Sequence, residues 1–279
     1  LGYYEGGLGT VTVTGAGSRW DTRNLTVGGV AAGATNSGGE GLMTISDGAV
    51  VTTNGWTYVG LRGTGTMLIT GAGSALAITG QNLFVGSASG GNGDVPIADG
   101  APVTSTRGHI GYPGGTGSVV VSGGASWTLR DVITLGTQGG TGELLIVDGG
   151  IVRMAESNNI KSISVGDSAG TGRLEVRGSG SLLSFDGTLC IARSDTSEGD
   201  LVVADGGRLE TGTGAIGGFY ANTLGLANAT VTGAGSVWNA AGSIDVRQRG
   251  QLNVSDGGQV VSEYGIVGQG RTEDGVAAV

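Results

Sequence analysis

Thr10-Val11-Thr12-Val13-Thr14-Gly15-Ala16-Gly17-Ser18 decides the fold, because it comes back. It recurs as Thr66-Met67-Leu68-Ile69-Thr70-Gly71-Ala72-Gly73-Ser74 and as Ala229-Thr230-Val231-Thr232-Gly233-Ala234-Gly235-Ser236. A sister form, Leu42-Met43-Thr44-Ile45-Ser46-Asp47-Gly48-Ala49, lies between the first two. Self-similarity at a fixed period marks a stacked architecture. Taking the last strong apolar residue of each copy as an anchor yields Val13, Ile45, Ile69, Ile97, Val121, Ile146, Val176, Val203, Val231 and Val254. The intervals are 32, 24, 28, 24, 25, 30, 27, 28 and 23 residues, a unit of about 27.

Each unit reads as three short strands. The first alternates apolar and polar residues, the period-two pattern of a half-buried strand. A Gly-rich corner follows, and then a second strand with one strong apolar residue: Trp20, Val51, Leu76, Val103, Trp127, Val152, Leu183, Leu209, Trp238 or Val260. The third strand ends on Val27, Val59, Val85, Ile110, Leu135, Val165, Ile191, Ile216, Val246 or Val267, usually followed by Gly. Insertions fall mainly after the third strand, notably over Gly28–Glu40. Odd units carry a Gly-x-Gly-Ser-like corner and even units carry Asp-Gly at Asp47, Asp99, Asp148, Asp205 and Asp256. Rungs stack about 4.8 Å apart. Alternation therefore keeps the carboxylates from forming a column of like charges at that spacing, with Gly supplying the positive φ of the turn.

Such a chain buries its apolar faces only by coiling, each strand pairing in parallel with its copy one turn later. The expectation is an all-β, right-handed parallel β-helix with three strands per rung and about ten rungs, roughly 48 Å long. Residues 1–279 form one solenoid in this reading, a fragment whose rungs continue past both ends, with Leu1-Gly2 as the closing strand of a preceding rung.

Composition agrees. Gly numbers 62 of 279 residues and Pro 3, which disfavours long helices and excludes collagen, since Gly has no period of three. The hydrophobic share is 38 % and mean hydropathy +0.14, enough apolar surface to fold. Net charge of −9 and a pI near 4.5 argue against nucleic acid as a partner. No apolar run reaches the length of a membrane span, so direct membrane insertion of this segment is not expected.

The motif Thr-Val-Thr-Gly-Ala-Gly-Ser-x-Trp at Thr12–Trp20, then Leu-x-Val-Gly at Leu25–Gly28 and Leu-x-x-Ile-x-Asp-Gly at Leu42–Ala49, resembles the passenger region of bacterial autotransporters, especially AIDA-like adhesins. Leu174–Leu183 and Leu201–Leu209 are looser copies, and the resemblance runs over essentially all of Leu1–Gly270. It implies a passenger displayed on, or released from, a Gram-negative cell. Its role would be adhesion, self-association or binding of host factors, and its partner a host protein, a glycan or another copy of itself.

Catalytic chemistry finds little footing. His109 is the one histidine and Cys190 the one cysteine, so no His pair and no His-based metal site can be assembled. Both occupy the outward slot just before a third-strand marker, Cys190 being outward or partly buried there. The Asp-Gly corners read as turns rather than calcium ligands, because calcium needs six to eight oxygens close together. No cofactor, metal or catalytic residue is expected. Asp186, Asp195, Glu198 and Asp200 fall near one another in sequence and carry the alternative reading, a polysaccharide-acting β-helix enzyme or phage-type spike.

What remains is surface. Side chains alternate across a strand, so the residues before the third-strand markers face outward: Thr26, Tyr58, Phe84, His109, Thr134, Ser164, Cys190, Ala215, Asp245 and Ile266. Two residues earlier a second outward column holds Asn24, Trp56, Asn82 and Arg107. Rungs two to four thereby gather Trp56, Tyr58, Phe84, Arg107 and His109 on one outer face, expected as an exposed patch and the candidate binding surface. Cross-rung stacking, or cover from the Gly28–Glu40 loop, would account for the same residues without binding.

Overall fold

The computed structural model describes residues 1–30, 37–155, 161–218 and 225–269. Residues 31–36 of the Gly28–Glu40 insertion and the Arg271–Val279 tail lie outside them. The chain forms a parallel β-solenoid of three ten-stranded sheets, one strand per sheet in each rung, with no helix among the described residues. Rung one is Leu8–Thr14, Arg19–Thr22 and Leu25–Gly29. Rung two is Glu40–Ser46, Val50–Thr53 and Thr57–Leu61. The same order repeats to the end.

The register is the one the repeat implies. The ten anchors pair in one unbroken row from Val13 opposite Ile45 to Val231 opposite Val254. The third-strand markers do the same from Val27 to Val267. Anchors and markers of the middle rungs are fully buried. Those of rung ten are in register but uncovered: Val254 is 48 % exposed and Val267 57 %. A ladder residue is sealed by the rung on either side of it, and among the described residues rung ten has a neighbour on one side. At the other end, Gly28 N–H donates to the Leu1 carbonyl and the Leu1 ammonium donates to the Thr26 carbonyl. Leu1-Gly2 thus lies alongside the third strand of rung one.

The first corner explains the two-rung alternation better than charge spacing alone. In even rungs Asp and Gly are both left-handed, Asp47 at φ 55° and Gly48 at 85°, and so on to Asp256 at 50° and Gly257 at 84°. The expectation that Gly alone supplies the positive φ is therefore too narrow. Asp tolerates that region and completes an Asp-Gly turn of type I′. Several of these corners bond to the next rung through side chains. Thr14 Oγ1 donates to Asp47 and Thr70 Oγ1 to Asp99, both at 2.7 Å. In return, the buried odd-rung serines Ser74, Ser181 and Ser236 accept the N–H of Gly48, Gly149 and Gly206 at 3.0–3.1 Å. Hydroxyl donation from Thr14 and Ser46 holds the Asp47 carboxyl below its ordinary pKa. All five aspartates are solvent-exposed on one edge.

Rung five corrects the alternation. Gly123 and Gly124 are consecutive left-handed residues at φ 58° and 73°, the geometry of an even corner, which accounts for Trp127 following its anchor by six residues instead of seven. A side chain at Gly123 would begin 3.1 Å from Asp99 Oδ1. Glycine here separates Asp99 from Asp148, so three successive turns of one type do not stack three carboxylates.

The core is fitted rung to rung. Trp127 and Trp238 are fully buried. A methyl added at Gly108 would stand 2.4 Å from Trp127 Cη2, and one at Gly214 would stand 2.4 Å from Trp238 Cζ2. Those glycines occupy the inner third-strand row that holds Leu83, Ile133, Ile163 and Leu189 elsewhere. The rung that yields the space also supplies the acceptor: Trp127 Nε1 donates to Ser105 Oγ and Trp238 Nε1 to Thr211 Oγ1, both at 3.1 Å. A buried indole N–H requires such a partner.

Candidate functional site: an outward aromatic ladder

The outward row of the third sheet is as the parity argument orders it. Thr26 pairs with Tyr58, Tyr58 with Phe84, Phe84 with His109 and His109 with Thr134. In-register parallel strands lie about 4.8 Å apart, which is close to the stacking distance of aromatic rings, so identical slots force a stack. Tyr58 and Phe84 lie 4.9 Å apart and 15° from parallel; Phe84 and His109 lie 4.9 Å apart and 20° from parallel. Trp56 meets Tyr58 edge to face at 6.3 Å and 89°.

This geometry corrects the expected uniform exposure. Tyr58, Phe84 and His109 cover one another's faces and are half-buried, whereas Trp56 is 45 % exposed and Arg107 stands in solvent. The rings in the middle of the ladder belong to the sheet, and the accessible part of the patch is Trp56 with Arg107. Trp56 is held in place: its indole N–H donates to Gln81 Oε1 at 2.7 Å and its backbone N–H to Asn24 Oδ1 at 3.0 Å. Arg107 Nε lies 3.7 Å from the buried Asp131 carboxylate.

Two members escape parity reasoning. Tyr112 packs 5.3 Å from His109 and 6.1 Å from Phe84. It follows Gly111, whose φ of 70° reverses the alternation, so counting from Ile110 assigns it to the wrong side. The Gly after the marker, a sequence signal present in most rungs, is what would have found it. Gln81 lies in the second corner, where strand parity says nothing.

His109 is no ordinary surface histidine. Asn82 Nδ2 donates to its Nε2 at 3.4 Å, which leaves Nδ1 protonated and donating to Thr134 Oγ1 at 2.9 Å. Burial, with the Arg107 charge adding to it, lowers its pKa from 6.5 to about 4. The folded ring therefore binds a proton less readily than the unfolded one, and stability drains away as pH falls from about 6.5 to about 4. One proton sets a slope of at most about 1.4 kcal/mol per pH unit. His109→Phe, which keeps the stack and cannot titrate, should remove this component. The check is the difference between wild-type and variant urea midpoints across that range, where the shared carboxylate titrations cancel.

Farther along the same row the outward slots close. Ser164, Cys190 and Ala215 face away from the core yet are buried. Burial pushes the Cys190 thiol up to about 11, which leaves little thiolate at neutral pH. The carboxylates proposed for catalysis do not converge: Asp186 is in a second corner, Asp195 in a third corner, and Glu198 and Asp200 on the first sheet. The first sheet instead gathers Glu143, Arg173, Glu175, Arg177, Asp200 and Asp205 from rungs six to eight. The buried Glu175 is held at 2.6 Å by both Arg173 and Arg177. Arg173 also reaches Glu143 at 2.7 Å and Asp200 at 3.9 Å, and Arg177 reaches Asp205 at 3.6 Å. Partial burial raises the Asp200 pKa against the pull of Arg173. Among the described residues no group of three or more His, Cys, Asp or Glu could hold a metal ion, and no helix is long and apolar enough to cross a membrane.

The fold and this face define the class: a three-sheet parallel β-solenoid with an outward aromatic ladder on its third sheet. No protein-family model and no curated protein matches the chain. Among solved structures it is similar to a TibC-catalyzed hyper-glycosylated TibA55-350 fragment, at 17 % identity over 88 % of this chain and 97 % of that one, with a TM-score of 0.22. So loose a superposition transfers no residue from that fragment to this chain.

Proposed function

We propose that this chain is a non-enzymatic rod of the autotransporter-passenger kind, carried at the surface of a Gram-negative cell or released from it. It acts in adhesion, self-association or binding of host factors through Trp56 and Arg107, which flank the aromatic ladder at its rung-two and rung-four ends. The observation that carries this reading is Trp56 itself, a large aromatic that keeps 45 % of its surface in solvent while two hydrogen bonds pin it in place. Tryptophan and arginine are the residue types most enriched where binding energy concentrates, and pre-ordering lowers the entropic cost of contact. The partner is a host protein, a host glycan or a second copy. The resemblance of Thr12–Trp20 and its copies to passenger repeats supports the display route.

Displayed on cells, the double variant Trp56→Ala with Arg107→Ala should weaken adhesion or cell settling by about tenfold or more, as loss of a hot-spot pair does. The thermal transition should stay within a few degrees of wild type. Unchanged adhesion and settling in a folded double variant would remove this face from the function. The second reading, a polysaccharide-acting enzyme, has one supporting observation, the ionisable cluster on the first sheet. Every carboxylate in it is engaged by Arg173 or Arg177, so none is left as an unpaired acid or base.

A further inference from the structure

The chain contains two Asn-Gly steps, Asn54-Gly55 and Asn92-Gly93; both asparagines are exposed and both glycines buried, but the fold places one step in a corner and the other inside a strand. Asn92 and Gly93 lie inside the strand Asn92–Ala98, paired with Thr64–Thr70 on one side and Thr116–Val121 on the other. A methyl at Gly93 would stand 2.2 Å from the Val59 carbonyl oxygen and one at Gly55 2.1 Å from Asn24 Oδ1, so both glycines are closely packed and the two steps differ in their backbone hydrogen bonding. Asn54 and Gly55 lie between strands, in the second corner of rung two. The Asn54 side chain is exposed. Among the described residues neither its amide nor the Gly55 N–H has a hydrogen-bond partner. Asn54 N–H makes a long bond to the Thr22 carbonyl, 3.3 Å, and the residues on either side are held by the Thr79 N–H bond to the Thr53 carbonyl and the Trp56 N–H bond to Asn24.

We infer that Asn54 is a self-modifying position, converting in the folded protein to aspartate and isoaspartate while Asn92 does not. Asparagine is a thermolabile residue, and glycine after it removes the Cβ that hinders ring closure. The Gly55 nitrogen loses its proton to water and attacks Asn54 Cγ. The new N–Cγ bond forms as the Cγ–Nδ2 bond breaks, and ammonia leaves. Water then opens the five-membered imide at one carbonyl to restore an α-linked aspartate, or at the other to leave a β-linked one with an extra methylene in the main chain. No oxidation state changes, and water is the sole co-reactant. Either product puts a new negative charge two residues before Trp56. The β-linked product also lengthens the backbone between the Thr22 contact and the Asn24 and Gln81 bonds that pin the indole. The chemistry is independent of what the neighbouring face binds.

The test is incubation of the full folded chain in mildly alkaline buffer, with digestion and site-resolved mass spectrometry. A parallel sample in denaturant sets the intrinsic rate of both steps. The expected result is an amide-to-acid mass gain at Asn54, split into aspartyl and isoaspartyl forms, with Asn92 still an amide when the denatured sample has converted at both. Asn54→Gln, which would need a larger ring, should abolish the gain at that peptide while leaving the melting curve in place. An Asn54 that keeps its amide in the folded chain, or an Asn92 that converts alongside it, overturns the inference.

Discussion

Trp127→Val should destabilise the rod by about 3 kcal/mol or more, in the range for emptying a large aromatic from a core, and Gly108→Leu should cost at least as much by overpacking. Combined, the two should recover much of the loss. Trp127 occupies the second-strand row in which its neighbours Val103 and Val152 are slim. Its ring tip fills the space above Gly108, where other rungs place Leu83 or Ile133. The double variant exchanges a Trp-over-Gly pair for the combination of Val103 with Leu83 found one rung earlier in the same two rows. A coupling energy between about 0.5 and 3 kcal/mol in the recovering direction is expected for side chains in direct contact. Measured by urea denaturation, simple additivity of the two losses would show that size matching between these rungs is not what selects them. Ser105 loses its indole donor in the variant and retains a hydroxyl free to rotate, so recovery should fall short of complete.

Gly86→Ala should be, with Gly28→Ala, among the most damaging single methyls at the described glycines. Gly86 follows the marker Val85 at φ 63°, and its missing Cβ would stand 1.7 Å from the Thr116 carbonyl oxygen. The left-handed backbone alone costs a side-chain-bearing residue about 1–2 kcal/mol, and here the clash is with backbone that cannot rotate away. The expected result is separation of the two neighbouring turns, seen as a broadened or two-step melt with hydrogen-exchange protection lost first around Asn92–Ala98 and Thr116–Val121. Contacts in a solenoid run between neighbours, so distant rungs should keep their protection. The contrasting control is Ala192, which fills the same slot in rung seven at φ 53°. Ala192→Gly relieves the strain and should be neutral or stabilising by up to about 1 kcal/mol. A cooperative melt near the wild-type midpoint for Gly86→Ala would mean that the third corner opens easily, and that the recurrent glycine there serves some other end.

The sequence alone determines the architecture, because a solenoid repeats one local decision. Period-two strands of three to seven residues, interrupted by Gly corners every 23 to 32 residues, leave no way to bury Val13, Trp20 and Val27 other than against their own copies. Register then follows from one anchor per strand, and so does the order of the outward row from Thr26 to Ile266. Tertiary structure alone decided what depends on the distance between rungs. Equal slots 4.9 Å apart turned an expected open patch at Tyr58, Phe84 and His109 into a stack that consumes its own faces, leaving Trp56 and Arg107 outside. Gly108 and Gly214 look like any other glycine in the chain, until Trp127 and Trp238 are found in the space they yield. Ser74 and Asp47 read as corner residues with no evident partner, until the corner one rung away presents the Gly48 N–H and the Thr14 hydroxyl. Local pattern specifies which face a side chain takes, since alternation is a property of one strand. What that side chain meets is a property of two rungs, and that is settled only when they are stacked.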